Sequence, residues 1–591
     1  MPPQRSAAEW HGEPSIRGKS EATRMILLTF SLIGLQLTWG LEQTYCTPYL
    51  LSLGMSKSTT SAVWIAGPLS GLLVQPIVGA LADRSTSRFG RRRPFMVVGS
   101  AVTSLCLILL GWTKEIVGIV TDSKSVIIVT AVLSIYALDF AINVVQACCR
   151  SIIVDVLPTT QQQTGSAWAA RMAASGHVVG FLIGTLPLVD ILPLWLGGDT
   201  QFKKMCLVAT LGLFFAVGVT CYSVTERVLL RQSDDDASQS ITAVLTSLWS
   251  RIWNLPPRIQ QICWCQFWGW IGWFPFLFYS STWVGETYYR YEHPEQAGGS
   301  SSTSSDNLGN IGRLGSLSLV LFSIVTLISS VLLPYLVLKP QDHPENLPNG
   351  TSKGRGRFTP RPPPSLGKEI QKVLMRIYES SAATNRYKPD LVATWALSNL
   401  LFALIMVWAP FVTSLRFATT LVALCGVPWA VSCWAPFAEM GVEINRLAHG
   451  GDGPAAAMMT SGGYRAVHPT DEDDDIEMEL GAAGRPNGLL QRSEETGAES
   501  GELAGIYLGV LNVYTTLPQF VGTAVSWVVF SLLEPGKNDA TSGGGSGSDK
   551  AGDGNKYLNL KGVNSIAVCL FIGAVCAVVA AEATRRLKRM R

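Results

Sequence analysis

Charged side chains are scarce in this chain. Asp, Glu, Lys and Arg make up 15% of its 591 residues, while 48% of the residues are hydrophobic. A soluble protein carries about 25% charged residues, so the composition excludes an ordinary soluble domain and indicates a protein that lies in lipid. The formal net charge of +3 says little by itself, because the positions of the basic residues matter more than their sum. We expect no nucleic-acid partner.

The sequence also lacks the motifs of ATP use, metal binding and secretion. It has no Walker-type phosphate-binding loop, so ATP-driven pumping is unsupported and any transport must draw on gradients. Neither Cys263-Trp264-Cys265 nor the vicinal pair Cys148-Cys149 has a histidine at zinc-ligand spacing. The first 24 residues are polar and the first apolar run is longer than a signal-peptide core, so no cleavable signal is expected. We expect no metal, no cofactor, no disulfide and no enzyme activity.

Twelve apolar segments are long enough to cross a bilayer as helices, which takes about 20 residues each. The sequence therefore predicts an all-α membrane protein with twelve transmembrane helices, numbered here as spans one to twelve. A polar central loop, 224–258, divides the spans six and six, which predicts an N-terminal bundle at 25–223 and a C-terminal bundle at 259–583 around a midplane site. The predicted spans are 25–53, 58–81, 94–112, 126–149, 164–187, 202–223, 259–283, 314–338, 390–413, 417–440, 503–533 and 564–583.

Basic residues between the spans predict which side faces the cytoplasm. The arginine loop, Asp83–Pro94, holds five arginines between spans two and three. A cluster this dense must lie at a membrane face, and its positive charge marks that face as cytoplasmic. Each span takes the chain to the other side of the membrane, so a cytoplasmic arginine loop after span two places both termini, 1–24 and 584–591, in the cytoplasm. A bare topology signal is the alternative interpretation of the loop, but it would not need the accompanying Asp83 and Gly90.

Long polar loops lie on the same predicted side. Residues 339–389 and 441–500 are too polar to fold around a core, and together with 232–240 they are predicted to be disordered. The sequon at Asn349 falls in the first of these loops, so we predict that it carries no glycan. A glycan there would overturn the predicted topology.

Span four carries a polar stripe on an otherwise apolar helix. Asn143, Gln146 and Arg150 lie within about 40° of Asp139 around the helix axis, so the four share one face. Asp139 and Arg150 are about 16 Å apart along the axis and cannot pair directly. Burial disfavours the charged form of a carboxyl, so we predict that Asp139 binds and releases a proton; a structural Asp bonded to a neighbouring helix is the alternative. Arg150 either contacts the substrate or reaches the inner interface.

Other spans contribute further candidates to the predicted substrate site. Glu42 in span one is a second candidate proton carrier, with pairing to a cation in the other bundle and a purely structural role as the alternatives. Arg171 in span five either contacts the substrate or extends to the membrane surface. The aromatic residues of span seven either stack on sugar rings or fill the bundle. The remaining predicted substrate-binding residues are Gln43, Tyr45, Trp273, Trp283, Asn512 and Gln519.

Several motifs resemble known transporters. Asp83, Gly90 and Arg91–Arg93 resemble the signature of major facilitator transporters. Further stretches resemble sucrose–proton symporters of the glycoside-pentoside-hexuronide type in that superfamily, and they are Thr47–Tyr49, Trp64–Gly71, Val74–Gly79, Ala137–Ala141, Gly176–Gly180, Phe274–Leu277, Leu314–Leu317, Pro436–Ala438 and Leu508–Asn512. The resemblance implies the major facilitator fold, Asp139 as the proton-binding carboxylate and Arg150 as a cation essential for transport.

The departures from the plant symporters point to another branch. Plant members carry acids where this chain has Ser280 and Thr282, and a histidine where it has Lys57. Glu42 resembles the animal branch, whereas the long loops resemble the fungal branch, whose members include carriers of maltose and sucrose. These departures bear on the identity of the sugar more than on proton coupling.

The sequence thus predicts proton-coupled symport of a disaccharide (sucrose, maltose or a related α-glucoside) by alternating access. Arg91, Arg92 and Arg93, with Asp83, are predicted to latch the inner gate against Asp155. We expect a multi-pass protein of the plasma membrane, with the vacuolar membrane as the alternative. A sugar sensor without net transport and an intracellular-membrane exporter are the alternative functions. The sequence leaves the sugar, the proton stoichiometry and the oligomeric state open.

Overall fold

The computed structural model describes residues 9–193, 198–231, 255–293, 307–337, 388–449, 487–533 and 563–590. Within this described part of the chain, a long helical span lies at each of the twelve positions predicted from the sequence. Ten of these spans contain an apolar stretch that is long enough to cross a membrane. Spans five and seven fall short because polar residues in the former, and tryptophans and tyrosines in the latter, lower the hydropathy.

The N-terminal half contains spans one to six. Span one joins the helices Glu21–Thr29 and Ser31–Leu41, a π-helical segment Glu42–Cys46 and the helix Thr47–Ser52. Span two consists of Lys57–Val63 and Ala66–Asp83. Spans three to six are Arg93–Gly111, Lys124–Val156, Thr159–Thr185 and Gln201–Ser223, and the short helices Thr113–Gly118 and Leu188–Ile191 lie between them.

The C-terminal half contains spans seven to twelve. Span seven is Pro257–Thr287, followed by a π-helical turn Tyr288–Glu292, and span eight is Asn307–Leu336. Span nine is Leu391–Met406, followed by a 3₁₀ turn Ala409–Phe411. Span ten consists of Leu415–Leu424 and Gly426–His449, span eleven is Asn487–Leu533 and span twelve is Ser565–Arg589.

The spans pack into two bundles that close on small residues. In the N-terminal bundle, span one lies against spans five and six, and span four lies against spans two and three. A Cβ atom at Gly34 would lie 2.7 Å from the Ala216 side chain, so spans one and six approach as closely as a glycine allows. In the C-terminal bundle, span seven packs on spans eight, eleven and twelve. The bundles meet where span two contacts span eleven and span five contacts span eight.

A pair of small β-ribbons, which the sequence analysis did not predict, ties the N-terminal tail to the segment after span six. Strand β1 (Glu9–His11) pairs antiparallel with β4 (Val228–Arg231), and β2 (Ser15–Ile16) pairs antiparallel with β3 (Val224–Thr225). The Arg17 backbone N–H also donates to the Ser223 carbonyl at 2.8 Å. The ribbons therefore hold the end of span six close to the start of span one.

Much of the predicted loop sequence lies outside the described residues. This applies to Asn349, to 232–240, and to nearly all of 339–389. The predicted loop 441–500 is shorter than expected at both ends, since span ten continues to His449 and span eleven begins at Asn487.

Candidate functional site between the two bundles

Two buried carboxyl groups meet inside the N-terminal bundle. Asp139 of span four and Glu42 of span one are both fully buried, and the two carboxyls lie side by side. Among the described residues, no hydrogen-bond donor reaches any of their four oxygens. Glu42 opens the π-helical segment, and π segments occur often at functional sites because they displace a side chain from regular helical spacing. The structure thus brings together the two residues predicted to carry a proton.

A chain of amide groups runs from this pair to the C-terminal bundle. The Asn143 Nδ2 donates to the Asp139 backbone carbonyl and to the Ser70 hydroxyl, both at 2.9 Å. The Gln75 Nε2 donates to the Asn143 Oδ1 at 3.4 Å, and the Gln75 Oε1 accepts from the Asn512 Nδ2 at 3.3 Å. Spans two, four and eleven are therefore linked across the boundary between the bundles. Asn143 and Asn512 were predicted site residues, whereas Gln75 was not.

The rest of the span-four stripe extends towards the arginine-loop side of the membrane. The Gln146 Oε1 accepts from the Trp39 indole N–H of span one at 3.2 Å. The Arg150 side chain is exposed and lies beside Cys433 of span ten, so it faces the space between the bundles. Arg171 is half-buried, with its guanidinium 5.3 Å from the Trp168 ring.

Three predicted substrate-binding aromatics are packed into the protein interior. The Tyr45 hydroxyl donates to the Gly184 carbonyl at 2.6 Å and accepts from the Gln201 Nε2 at 3.3 Å. Trp273 lies against Phe402 and Trp429, with ring centroids 4.2 and 4.9 Å apart. Trp273 and Trp283 both belong to the large hydrophobic core. The geometry favours packing, the alternative stated for the span-seven aromatics, over sugar stacking.

Two predicted glutamines lie outside the carboxyl pair and the amide chain. Gln43 is half-buried, and its backbone carbonyl accepts from the Ser281 hydroxyl of span seven at 2.8 Å. The Gln519 Nε2 donates to the Thr515 carbonyl within span eleven at 3.1 Å. Neither side chain bonds to the carboxyl pair or to the amide chain in the described structure.

The arginine loop is paired with acids of the same bundle. The Asp155 carboxylate, at the end of span four, accepts from the Arg92 Nε at 2.8 Å and lies 3.0 Å from the Arg91 Nη2. Asp83 is the last residue of span two, and its side chain lies outside the described set. The predicted pairing partner is therefore present. Because both partners belong to the N-terminal bundle, the pair fixes the loop on span four and does not itself join the two bundles.

A second acid in this region, Glu226, was missed by the sequence analysis. Its carboxylate accepts the backbone N–H groups of Arg91, Arg92 and Arg93 at 2.8 to 2.9 Å, where span three begins. An anion at a helix N-terminus satisfies otherwise unpaired N–H groups and interacts favourably with the helix dipole. Gly90 permits the approach, because its φ is +107° and a Cβ there would lie about 3 Å from Glu226 atoms. Glu226 stands among other charged residues of the central loop, so nothing in the sequence marked it.

The membrane side opposite the arginine loop is closed between the bundles. Lys57 at the start of span two and Glu286 near the end of span seven form an ion pair of 2.7 Å, with side chains 5% and 1% exposed. Nearby, the Arg313 Nε of span eight donates to the Thr185 carbonyl of span five at 3.2 Å. On this side the two bundles are thus in direct contact, whereas Arg150 and Cys433 are exposed between them nearer the arginine loop.

Two helical bundles that enclose polar groups at mid-membrane, with one side closed, define a secondary transporter. Comparison with known proteins identifies the family. The chain is 32% identical to the general alpha-glucoside permease of Schizosaccharomyces pombe over 603 residues, which cover 95% of this chain and 93% of that protein. Residues 29–254 match the family described as MFS/sugar transport protein. The chain therefore belongs to the MFS/sugar transport family.

Plant relatives match a smaller part of the chain. Sucrose transport protein SUT5 of Oryza sativa is 30% identical over 299 residues, which cover 46% of this chain and 55% of that protein. Sucrose transport protein SUC4 of Arabidopsis thaliana is 29% identical, covering 46% of this chain and 56% of that protein. The predicted resemblance to the sucrose and α-glucoside transporters is confirmed.

Solved structures confirm the fold. A bacterial homolog of the human lysosomal transporter Spinster, in an inward-facing and unoccupied conformation, gives a TM-score of 0.52 at 11% identity, covering 97% of this chain and 98% of that one. A mutant of the nucleoside transporter NupG gives 0.51 at 11% identity, covering 95% and 99%. These structures share the predicted major facilitator fold and carry no argument about substrate.

Proposed function

We propose that this chain is a proton-coupled disaccharide symporter of the α-glucoside class, to which sucrose and maltose belong, and that it works by alternating access. The relatives that support a sugar substrate are named as an alpha-glucoside permease and as sucrose transport proteins. In this proposal Asp139 and Glu42 carry the proton, and the groups between the bundles bind the sugar. The predicted orientation, with both termini and the arginine loop in the cytoplasm, and the plasma-membrane location belong to the same proposal.

The carboxyl pair is the observation that carries the proton coupling. Two neighbouring carboxylates in a low-dielectric interior, with neither a donor nor a cation beside them among the described residues, repel each other and lose their hydration when both are ionised. A shared proton removes the repulsion. When the site opens to water on one side, hydration restores the charged form and the proton leaves. Such a pair therefore exchanges protons with whichever side is open.

The closure of one side supports alternating access. The Lys57–Glu286 pair seals the side opposite the arginine loop, while Arg150 and Cys433 are exposed on the other side of the carboxyl pair. With the arginine loop placed in the cytoplasm, this arrangement corresponds to a carrier that is open inward. A membrane potential acts at about 2.3 kcal/mol per charge per 100 mV, so entry of one proton can concentrate a neutral sugar.

The test is sugar-induced proton movement in cells that express the protein. External sucrose, maltose, trehalose and glucose are supplied in turn, and inward current or external alkalinisation is recorded. We expect a response to at least one α-glucoside disaccharide and none to glucose. Sugar uptake without proton movement would reject symport, and the absence of uptake of any disaccharide would reject the substrate class.

A further inference from the structure

Gln75 occupies the point where the polar groups of the two bundles meet. Its amide donates to Asn143 of span four with one end and accepts from Asn512 of span eleven with the other. The side chain is half-buried, so it borders the space between the bundles. Gln75 therefore lies directly between two of the residues predicted to bind the sugar.

The face of span two around Gln75 is open. Gly67, Gly71 and Gly79 are spaced from Gln75 by steps of four residues, which places them along one helical face. A Cβ built at Gly67 or Gly79 would meet no atom within 4 Å, and one at Gly71 would only touch Asn143 and Thr516 at 4.0 Å. The Gln75 amide thus projects from a glycine-lined face of span two that leaves room for a ligand.

The two bonds that Gln75 makes are long for hydrogen bonds between amides. At 3.3 and 3.4 Å they exceed the usual 2.9 to 3.0 Å by about 0.4 Å, so they are readily exchanged. A sugar hydroxyl donates and accepts at once, as an amide does, and it can replace either partner. By contrast, the 2.9 Å bonds from Asn143 to Ser70 and to the Asp139 carbonyl would keep Asn143 next to the proton site.

We propose that Gln75 is a sugar-binding residue, and that its bonds to Asn143 and Asn512 in the empty carrier are replaced by hydroxyl groups of the disaccharide. Gln75 then contacts the sugar from span two while Asn512 contacts it from the opposite bundle. This inference rests on the proposed function, since it specifies how the same site holds its sugar.

The test compares Gln75→Met with Gln261→Met in the full-length carrier. Methionine keeps the length of the side chain and removes its hydrogen bonds. Gln261 of span seven donates to the Ala583 carbonyl at 2.8 Å within the C-terminal bundle, so it serves as a matched structural control. We expect Gln75→Met to raise the KM for the transported disaccharide about three- to tenfold, as the loss of one or two amide hydrogen bonds implies. The maximal rate per carrier at the cell surface should change less than twofold.

A binding measurement separates a lost sugar contact from a misfolded carrier. Of the twelve cysteines, all of which lie in described residues, only Cys433 is exposed, and it borders the space between the bundles. Sugar should slow its alkylation by a small maleimide, and Gln75→Met should raise the sugar concentration needed for this protection by the same factor as KM. If Gln75→Met reaches the membrane poorly, Gln75→Ala provides the same two measurements.

An unchanged KM with an unchanged protecting concentration would overturn the assignment of Gln75. So would a rise in KM that Gln261→Met reproduces, because that result indicates a general packing effect. Failure of the proposed substrate class is a separate result, since the unaltered carrier would then show neither disaccharide uptake nor protection of Cys433. Failure of proton coupling alone would leave both measurements on Gln75 in place.

Discussion

At the scale of single residues, the proposed proton coupling depends on Asp139 and Glu42, whose carboxyls are fully buried. We expect Asp139→Asn to abolish accumulation of sugar against a gradient, because an amide cannot release a proton. Exchange of sugar across the membrane should persist, since exchange needs no net proton movement. Accumulation and counterflow of labelled disaccharide in the same vesicles distinguish the two activities.

Glu115→Gln is the matched control for that substitution. Glu115 also pairs with a single neighbour, Lys203, but its side chain is 51% exposed, so its loss should leave accumulation intact. Accumulation that survives in Asp139→Asn would remove this residue from the proton pathway.

Single residues could be singled out from the sequence only where helical spacing was informative. Asp139 was apparent because Asn143, Gln146 and Arg150 share its face within one helix. Gln75 was not, because its partners come from two other spans and a single sequence does not show which helices meet. Trp273 and Trp283 were assigned to the substrate because composition alone does not separate a packed aromatic from one that lines a cavity.

At the scale of elements, Glu226 and the arginine loop form one unit. We expect Glu226→Gln to lower the melting temperature of the purified carrier. A carboxylate accepts hydrogen bonds with both oxygens, whereas a glutamine amide turns one NH₂ towards the backbone donors. Three backbone N–H groups donate to Glu226, and the one at Arg92 is buried. Leaving a buried N–H unsatisfied costs about 1–3 kcal/mol, and a part-buried one costs less.

Glu582→Gln provides the comparison for the melting experiment. Glu582 pairs with Arg585 and Arg586, but all three side chains are at least 39% exposed, and pairs of that kind contribute about 0–1 kcal/mol. Equal melting temperatures for the two variants would show that the Glu226 contacts add no stability.

The pair between Arg92 and Asp155 makes a prediction about transport. If the pair orients the arginine loop for the conformational change, Arg92→Ala and Asp155→Asn should each reduce sugar uptake, since each removes the same 2.8 Å contact. Asp155→Asn also removes the ion pair with Arg91, so its effect should be at least as large. Uptake is compared at equal surface abundance. Unaltered uptake in both variants would exclude a gating role for the loop.

The positions of the elements were predictable from apolar length, but several of their boundaries and the conformation inside an element were not. For example, no marker in the sequence of span one indicates the π-helical segment at Glu42–Cys46. It arises where span one packs against the C-terminal bundle at spans seven and eight. Because that contact is between helices distant in the chain, the residue pattern of span one alone does not reveal it.

At the scale of the whole molecule, the Lys57–Glu286 ion pair joins the two bundles on the side opposite the arginine loop, so in the proposed alternating-access cycle it stabilises the arrangement in which that side is closed. Opening the side opposite the arginine loop separates spans two and seven and breaks the pair. Lys57→Met leaves Glu286 as an unpaired buried charge in the closed arrangement, a loss of about 3–5 kcal/mol. We therefore expect this variant to favour the arrangement in which that side is open, and Cys433 to be alkylated several-fold more slowly from the arginine-loop side.

Exchange of the two charges is the decisive control for Lys57→Met. Lys57→Glu combined with Glu286→Lys should restore the alkylation rate, because the pair re-forms with its polarity reversed. Lys588→Met, which removes an ion pair between an exposed lysine and Asp390 within the C-terminal bundle, should have no effect. If the double exchange behaved like Lys57→Met, packing around Lys57 rather than the ion pair would control the opening.

The whole fold was the most predictable level. Twelve apolar runs and the polar central loop were enough to predict the spans and their division into two bundles, because the bilayer imposes length and composition on every crossing. Which side of the carrier is closed could not be predicted. The same sequence must adopt every conformation of the transport cycle, so it does not indicate which one is observed.

The β-ribbons have a practical consequence for anyone who purifies this carrier. Trimming the amino terminus back to Glu21 would delete β1 and β2, and β3 and β4, which flank Glu226 in the chain, would lose their pairing partners. An affinity tag belongs at the other end, beyond span twelve, where Arg589 ends an exposed helical stretch and no described strand is disturbed.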